Sequence, residues 1–209
     1  MLPDMPRDKY KNFAELAAVE NASAYRIVTV SRETNAVIAA PHAGAIEPGT
    51  SEIARAIAGA ELSLYLFEGR KSLDNGELHI TSTNFDEPQG LQLVRGAEMA
   101  LAVHGEANEN ESVVYMGGRH AAAQEALGER LKAAGFHVDK HADPELQGVH
   151  PNNICNRGLS GAGVQLELSR ALRLELFPSL SAKGRVAPRR RFHEFVRAVR
   201  LGLGLPYAG

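Results

Sequence analysis

The chain has 209 residues, a formal net charge of −2 and 44% hydrophobic residues, which is the balance of a globular chain with one sizeable core. The near-neutral charge excludes a global field that would attract nucleic acid or an anionic membrane. The sequence also lacks the run of about eighteen apolar residues that crosses a bilayer. Its single cysteine, Cys155, excludes an intrachain disulfide.

Hydrophobic patterning predicts strands that alternate with helices along the chain. Helices are predicted at 10–19, 50–59, 85–95, 121–134 and 190–203, and strands at 25–30, 35–38, 62–67, 78–83, 99–103, 113–116, 136–139 and 164–168. This order predicts a single α/β domain over residues 1–209, with a mixed, mainly parallel sheet flanked by helices. Residues 142–163 form a long loop rich in Pro, Gly and Asn, and loops of that length often carry function.

His42 and Glu47 lie on the loop that follows the predicted strand at 35–38, before a helix capped by Thr50 or Ser51. Open α/β sheets bind ligands at the carboxyl ends of their strands. A histidine with a nearby carboxylate is half of a zinc site. The pair also fits an ordinary polar turn before a capped helix.

His104 repeats this pattern, because it follows the apolar strand predicted at 99–103. Two histidines and one carboxylate leave zinc a fourth position for water, which is the open arrangement of catalytic zinc. Glu167 lies between two leucines of a later strand and fits the acid/base role beside such a metal. The same position fits a buried ion pair with Arg170 or Arg173.

His79 is the rival metal ligand. It begins its predicted strand at 78–83 rather than ending it, so we place it farther from the metal than His42 and His104. We predict a hydrogen-bonded structural histidine, with the orientation of a metal ligand as its alternative role.

Seven short blocks follow one another in a distinctive order: Asp8–Tyr10, Ala40–Glu52, Leu78–Ser82, Val103–Gly105, Tyr115–Gly118, Asn153–Arg157 and Gly163–Ser169. Together they resemble the poly-γ-glutamate hydrolases of bacteriophages and bacteria, over about residues 8–173. Any single block is weak, but their joint order is specific.

The resemblance implies a fold similar to that of the zinc carboxypeptidases, of the phosphorylase/hydrolase-like kind, and cleavage of γ-glutamyl amide bonds with one zinc ion. Carried over position by position, it implies that His42, Glu47 and His104 bind the zinc. It also implies that Glu167 is the general base. These are the four residues that strand position and chemistry indicate independently.

An anionic polymer with a carboxylate on every unit requires fixed cations in the substrate groove. Asn156 and Arg157 are similar to the Asn-Arg pair with which carboxypeptidases hold a carboxylate, so we predict that both bind substrate. Weaker candidates are Arg95, Arg119, Arg170 and Arg173. We predict that the basic C-terminal helix at 190–203 packs on the sheet and that its arginines take no part in catalysis.

Two other functions remain open at this point. One is a zinc amidase that acts on peptidoglycan peptides or small acylated amino acids. The other is a non-catalytic binding module of the same fold. We expect a monomer whose partner is poly-γ-glutamate or a related γ-glutamyl substrate. Residues 1–20 have no apolar core, so we predict no signal peptide and a cytoplasmic location, with release by host lysis for a phage-derived chain.

Overall fold

The structure is a computed structural model that describes residues 8–206. In this part of the chain seven strands form one sheet in the order β1-β3-β2-β4-β7-β5-β6. The strands are β1 (Tyr25–Val30), β2 (Ala36–Gly44), β3 (Ser63–Gly69), β4 (Met99–Gly105), β5 (Val114–Gly118), β6 (Val138–Asp139) and β7 (Val164–Leu168). The helices are α1 (Phe13–Val19), α2 (Thr50–Ala58), α3 (Pro88–Arg95), α4 (Ala121–Ala133), α5 (Arg170–Leu176), α6 (Ala182–Arg185) and α7 (Arg190–Gly202).

The centre of the sheet is parallel. Strand β2 runs parallel to both β3 and β4, and β4 runs parallel to β7. Strands β1 and β5 are antiparallel to their neighbours β3 and β7. The predicted α/β class with a mixed, mainly parallel sheet is confirmed. The arrangement brings the carboxyl ends of β2, β4 and β7 to one edge of the sheet, where parallel sheets form their sites.

Helices cover both faces of the sheet. Alternate residues of β4 separate the two cores, with Leu101 buried on one face and Ala100 on the other. The first core contains Phe195 and Val196 of the C-terminal helix α7, both fully buried, and α7 packs against α2, α4 and α5. Within residues 8–206, none of the helices combines the length and the apolar character that crossing a bilayer requires.

The strand predicted at 78–83 is wrong. A 3₁₀ helix, Asn75–Leu78, precedes a loop there. Leu78 and Ile80 are both fully buried, which produced the alternating pattern. The backbone N–H of Thr81 donates instead to the carboxylate of Asp8, which is 73 positions away in sequence, at 2.6 Å. Tertiary contacts therefore override a pattern typical of a strand.

Helices α5 and α6 were not predicted, and helices α1 and α3 each begin three residues later than expected. Helix α3 starts at Pro88 because the Glu87 side chain accepts from the backbone N–H groups of Gln89 and Gly90. Helix α5 follows β7 with Ser169 as its only separation. The Ser169 hydroxyl caps it by accepting from the Leu172 N–H. Helix α6 is a single turn.

Strand β2 continues past the predicted end to Gly44, beyond an irregularity between Ala40 and Ala43. His42 therefore lies within the last residues of the strand rather than after it. Gly44 has a φ of 72°, and a Cβ there would lie 2.6 Å from the carbonyl oxygen of Gly69. Only glycine fits this close approach, which turns the chain from β2 into the loop that carries Glu47.

Candidate functional site

The ends of β2 and β4 bring three polar side chains together. His42 Nδ1 lies 3.1 Å from His104 Nδ1 and 3.0 Å from Glu47 Oε1. His104 Nδ1 lies 3.7 Å from Glu47 Oε2. The two histidines are 1% and 2% exposed. Three side chains thus bring nitrogen and carboxylate oxygen atoms, the ligand atoms that zinc accepts, to one point.

Backbone contacts fix Glu47 in place. Its N–H donates to the His42 carbonyl at 2.9 Å, which closes the loop after β2. Its carboxylate accepts from the Gly105 N–H at 2.8 Å, which ties the loop to the end of β4. Burial raises the pKa of Glu47, but the charges and hydrogen bonds of His42 and His104 outweigh it and hold the pKa well below its usual value. Glu47 is therefore an anion at neutral pH.

The ring nitrogens that face away from the cluster, Nε2 of His42 and Nε2 of His104, have polar neighbours that orient the two rings. His42 Nε2 lies 2.8 Å from the carbonyl oxygen of Ile80, which can only accept, so this nitrogen carries the proton. His104 Nε2 lies 3.5 Å from the Ser82 hydroxyl. Nδ1 of His42 consequently faces Nδ1 of His104 and the Glu47 carboxylate, where it can donate a proton to the carboxylate or bind a cation. Such a cluster is unfavourable unless a proton or a cation lies among the three atoms.

The spacing of the cluster fits a tetrahedral metal. Nitrogen and oxygen ligands bind zinc at about 2.0 to 2.2 Å, so two ligands of a tetrahedral ion lie about 3.3 to 3.6 Å apart. The observed separations of 3.0, 3.1 and 3.7 Å bracket this range. Two histidines and one carboxylate are also a donor set that zinc accepts.

His79 lies closer to this cluster than the sequence predicted. Its ring centroid is 4.0 Å from that of His42, and one of its nitrogens lies within 4.8 Å of ligand atoms of His42 and Glu47. His79 Nδ1 is 2.7 Å from the Asp8 carboxylate. His42, Glu47 and His79 also lie near enough to one another to share a metal ion, so His79 stays the rival ligand. Its bond to Asp8 and its stacking on His42 fit a neighbour of the ligand set.

Glu167 lies beside His104, because these two residues are partners in the pairing of β4 with β7. It is 6% exposed, and its Oε1 accepts from Gln165 Nε2 at 2.9 Å. Burial raises its pKa well above the usual value, and the negative charges of Glu47 and Glu106 add to the rise.

The alternative of a buried ion pair finds no support. Arg170 pairs instead with Glu109 at 2.6 Å. The guanidinium of Arg173 donates to backbone carbonyls and acts on Glu167 only through its charge. The structure therefore leaves the Glu167 carboxylate without the arginine partner that the alternative required.

Arg173 joins the three loops that carry the site. It is 4% exposed and donates to the carbonyl oxygens of Leu168, the last residue of β7, at 3.1 Å, of Pro48, after β2, at 2.9 Å, and of Glu106, after β4, at 2.7 Å. A Cβ on Gly105 would lie 2.7 Å from the guanidinium, so this residue must be glycine for Arg173 to fit. The buried guanidinium of Arg173 thus holds together the chain segments that follow the site strands.

We expect Arg173→Met to lower the free energy of unfolding by about 3 kcal/mol or more, since three backbone carbonyls lose a charged donor. Denaturant unfolding measures the loss. Arg170→Met is the matched control, because the exposed Arg170–Glu109 pair contributes about 1 kcal/mol or less. Equal stability of the two variants would contradict this role.

Asn156 does not have the predicted freedom to bind substrate. It is 3% exposed, its Nδ2 donates to the carbonyls of Gly148 and His150, and its Oδ1 accepts from the Gly163 N–H. These contacts hold the long loop closed, so the structure supports a structural role. Arg157 is half-buried and donates to the carbonyls of Asn152, Thr83 and Phe85.

Several contacts around the site were missed at the sequence level. Asp8 reaches His79 from the start of the chain, and the carbonyl of Ile80 orients His42. Neither contact has a local sequence signal. The contact between Gln165 and Glu167 did have a sequence signal. Residues two apart on a strand share a face, and Glu167 was already a candidate base.

A cavity of about 350 Å³ lies away from this cluster, lined by residues that include Thr34, Ser63 and Gln89. Thr34 precedes β2 and Ser63 begins β3. The cavity therefore lies at the opposite end of the strands from His42 and His104.

The sequence profile of a family described as poly-gamma-glutamate hydrolase matches residues 10–198. This chain belongs to the poly-gamma-glutamate hydrolase family. YndL, a UPF0714 protein of Bacillus subtilis (strain 168), is 41% identical over 194 residues, which cover 92% of this chain and 76% of YndL. The SPbeta prophage-derived UPF0714 protein YoqZ of the same strain is 39% identical over 179 residues, which cover 85% of this chain and 65% of YoqZ.

Solved structures agree with the family assignment. The structure of a bacteriophage poly-gamma-glutamate hydrolase matches with a TM-score of 0.91 and 30% identity, over 94% of this chain and 97% of the phage chain. A structure of YndL described as apo and zinc-free matches with a TM-score of 0.89 and 40% identity, over 94% and 98% of the two chains. The predicted family resemblance is confirmed, and as a member of this hydrolase family the chain is an enzyme.

Proposed function

We propose that this chain cleaves the γ-glutamyl amide bonds of poly-γ-glutamate, or of related γ-glutamyl substrates, with one zinc ion bound by His42, Glu47 and His104. The convergence of three side chains, whose ligand atoms lie 3.0 to 3.7 Å apart, carries the proposal. Membership of the family and the zinc-free description of the YndL structure support it.

Zinc in a site of this kind lowers the pKa of a bound water toward neutrality and polarises the carbonyl of the scissile amide. The chain's own residues supply the rest. Ile80 fixes the tautomer of His42, and the Gly105 N–H fixes the Glu47 carboxylate, so the metal ligands are preorganised. Arg173 keeps the loops that carry them at a constant spacing.

Glu167 is the proposed general base. Its carboxylate takes a proton from the attacking water as the oxygen bonds to the amide carbonyl carbon. It then gives that proton to the nitrogen as the C–N bond breaks, so the products are a carboxylate and an amine. A zinc cation at the site would offset the burial and the negative charges that raise the pKa of Glu167, so its carboxylate could accept the proton.

Arg157 is the proposed contact for a substrate carboxylate. Three of its five N–H groups hold backbone carbonyls of the segments around it, which leaves its charge fixed and part of its edge free. Burial lowers the pKa of Arg157, but a guanidinium has so high a pKa that the side chain remains a cation at neutral pH.

We expect Arg157→Ala to reduce kcat/KM on poly-γ-glutamate, because a fixed and partly desolvated cation is lost. The fall should correspond to a loss of about 2 kcal/mol of transition-state stabilisation. A γ-glutamyl substrate with its α-carboxylates amidated should lose less. Arg26→Ala, on β1, is the control. An equal loss on the charged and the amidated substrate would show that Arg157 is structural.

A substrate panel tests the proposed function. The zinc-loaded chain should shorten poly-γ-glutamate, as size-exclusion chromatography would show, and should leave peptidoglycan fragments and N-acyl amino acids intact. Preference for those fragments would instead identify the amidase alternative. Polymer binding without shortening would identify the non-catalytic module.

A further inference from the structure

Gln165 contacts the proposed base directly. It lies two residues before Glu167 on β7, so both side chains project from the same face of the sheet. Gln165 is 2% exposed, and its Nε2 donates to Glu167 Oε1 at 2.9 Å and to the carbonyl of Leu146 at 3.0 Å. Its Oε1 accepts from Asn153 Nδ2 at 2.8 Å.

The network permits one orientation of the Gln165 amide. The carbonyl of Leu146 can only accept, so the nitrogen must face it. Independently, Asn153 Oδ1 accepts from the Cys155 N–H at 3.1 Å, which leaves Asn153 Nδ2 to donate to Gln165 Oε1. Both constraints direct the Gln165 N–H groups toward Leu146 and Glu167.

This orientation makes the two oxygens of Glu167 different. An amide N–H can only donate, so Oε1 stays an acceptor whether or not the carboxyl group carries a proton. Gln165 pairs with Ala102 in the register of β4 and β7, whereas Glu167 pairs with His104. Gln165 thus holds Oε1 from the side away from the strand ends, and Oε2 is left for the metal cluster.

We propose that Gln165 is a positioning residue that holds the Glu167 carboxylate through Oε1, so that Oε2 alone exchanges protons with water and the leaving nitrogen. The inference rests on the proposed function of Glu167 as base. Leu146 and Asn153 belong to the long loop at 142–163, so these two residues act on catalysis through Gln165 and not through contact with substrate.

Gln165→Met tests the inference, because it keeps the size of the side chain and removes the amide. We expect kcat on poly-γ-glutamate to fall roughly 10- to 100-fold, as for other groups that orient a catalytic residue, while KM and zinc content stay unchanged. A crystal structure of the variant should show the Glu167 carboxylate rotated. Gln124→Met is the matched control, since its Nε2 also donates to a carbonyl, that of Gly118.

The same substitution is then made in the Glu167→Gln background, where it should cause no further loss of kcat, because Gln165 acts through Glu167. An additional tenfold loss there, an unchanged kcat in the single variant, or an unmoved carboxylate would overturn the inference. Full activity of Glu167→Gln would instead refute the proposed base. If Gln165→Met fails to fold, Gln165→Glu keeps the bond to Asn153, opposes the Glu167 carboxylate, and should lower kcat likewise.

Discussion

Glu167→Gln should lower kcat on poly-γ-glutamate by roughly 10²- to 10⁴-fold, the usual contribution of a positioned acid/base, and leave zinc content unchanged. The substitution preserves shape and the hydrogen bond from Gln165, because the amide oxygen of the new side chain can still accept. It removes only the ability to exchange a proton. Steady-state kinetics and metal analysis on the same preparation measure both effects.

The stability of the metal-free variant separates this role from a structural one. The pKa of Glu167 is raised in the folded chain, so the folded state binds its proton more tightly than the unfolded state. The metal-free wild type should therefore lose stability as the pH rises above the ordinary value near 4.5, toward the raised pKa. Glu167→Gln should lose less over that interval. A variant that is destabilised but fully active would contradict the assignment.

His104→Ala should abolish hydrolysis and strongly lower the affinity for zinc. Loss of a residue that only orients a metal ligand lowers the affinity roughly 10- to 100-fold, and we expect a larger loss here. The reason is that only His42 and Glu47 would remain as ligands. Chelator competition on the dialysed protein measures the affinity.

His79→Ala is the matched comparison, because His79 also lies against His42 but is bonded to Asp8. We expect His79→Ala to keep one zinc ion per chain and to lose at most roughly 10- to 100-fold in zinc affinity, as for a residue that only orients a ligand. If His79→Ala loses zinc as His104→Ala does, then the metal is held by His42, Glu47 and His79 instead.

The parts of the site that follow strand ends were predictable from the sequence. A buried apolar run followed by a polar residue places His104, and Glu47 follows from the loop between β2 and α2. Parallel strands with helical connections then bring these residues to one edge. Local patterning and topology suffice for such residues.

The parts that depend on distant contacts were not predictable. His79 is placed by Asp8, 71 positions away in sequence, and its loop has the alternation of a strand. Arg173 lies on a helix that begins directly after β7, and its three partners are backbone carbonyls with no side-chain signature. Asn156 matches a substrate-binding pair in sequence, but its amide is already bonded in the folded loop.

Hydrolysis of poly-γ-glutamate by the purified chain, before and after removal of its metal, tests the zinc-dependent mechanism most directly. We expect one zinc ion per chain, shortening of the polymer by the loaded protein, loss of activity on chelation and recovery when zinc is returned. A metal-free chain that shortens the polymer at the full rate would contradict it.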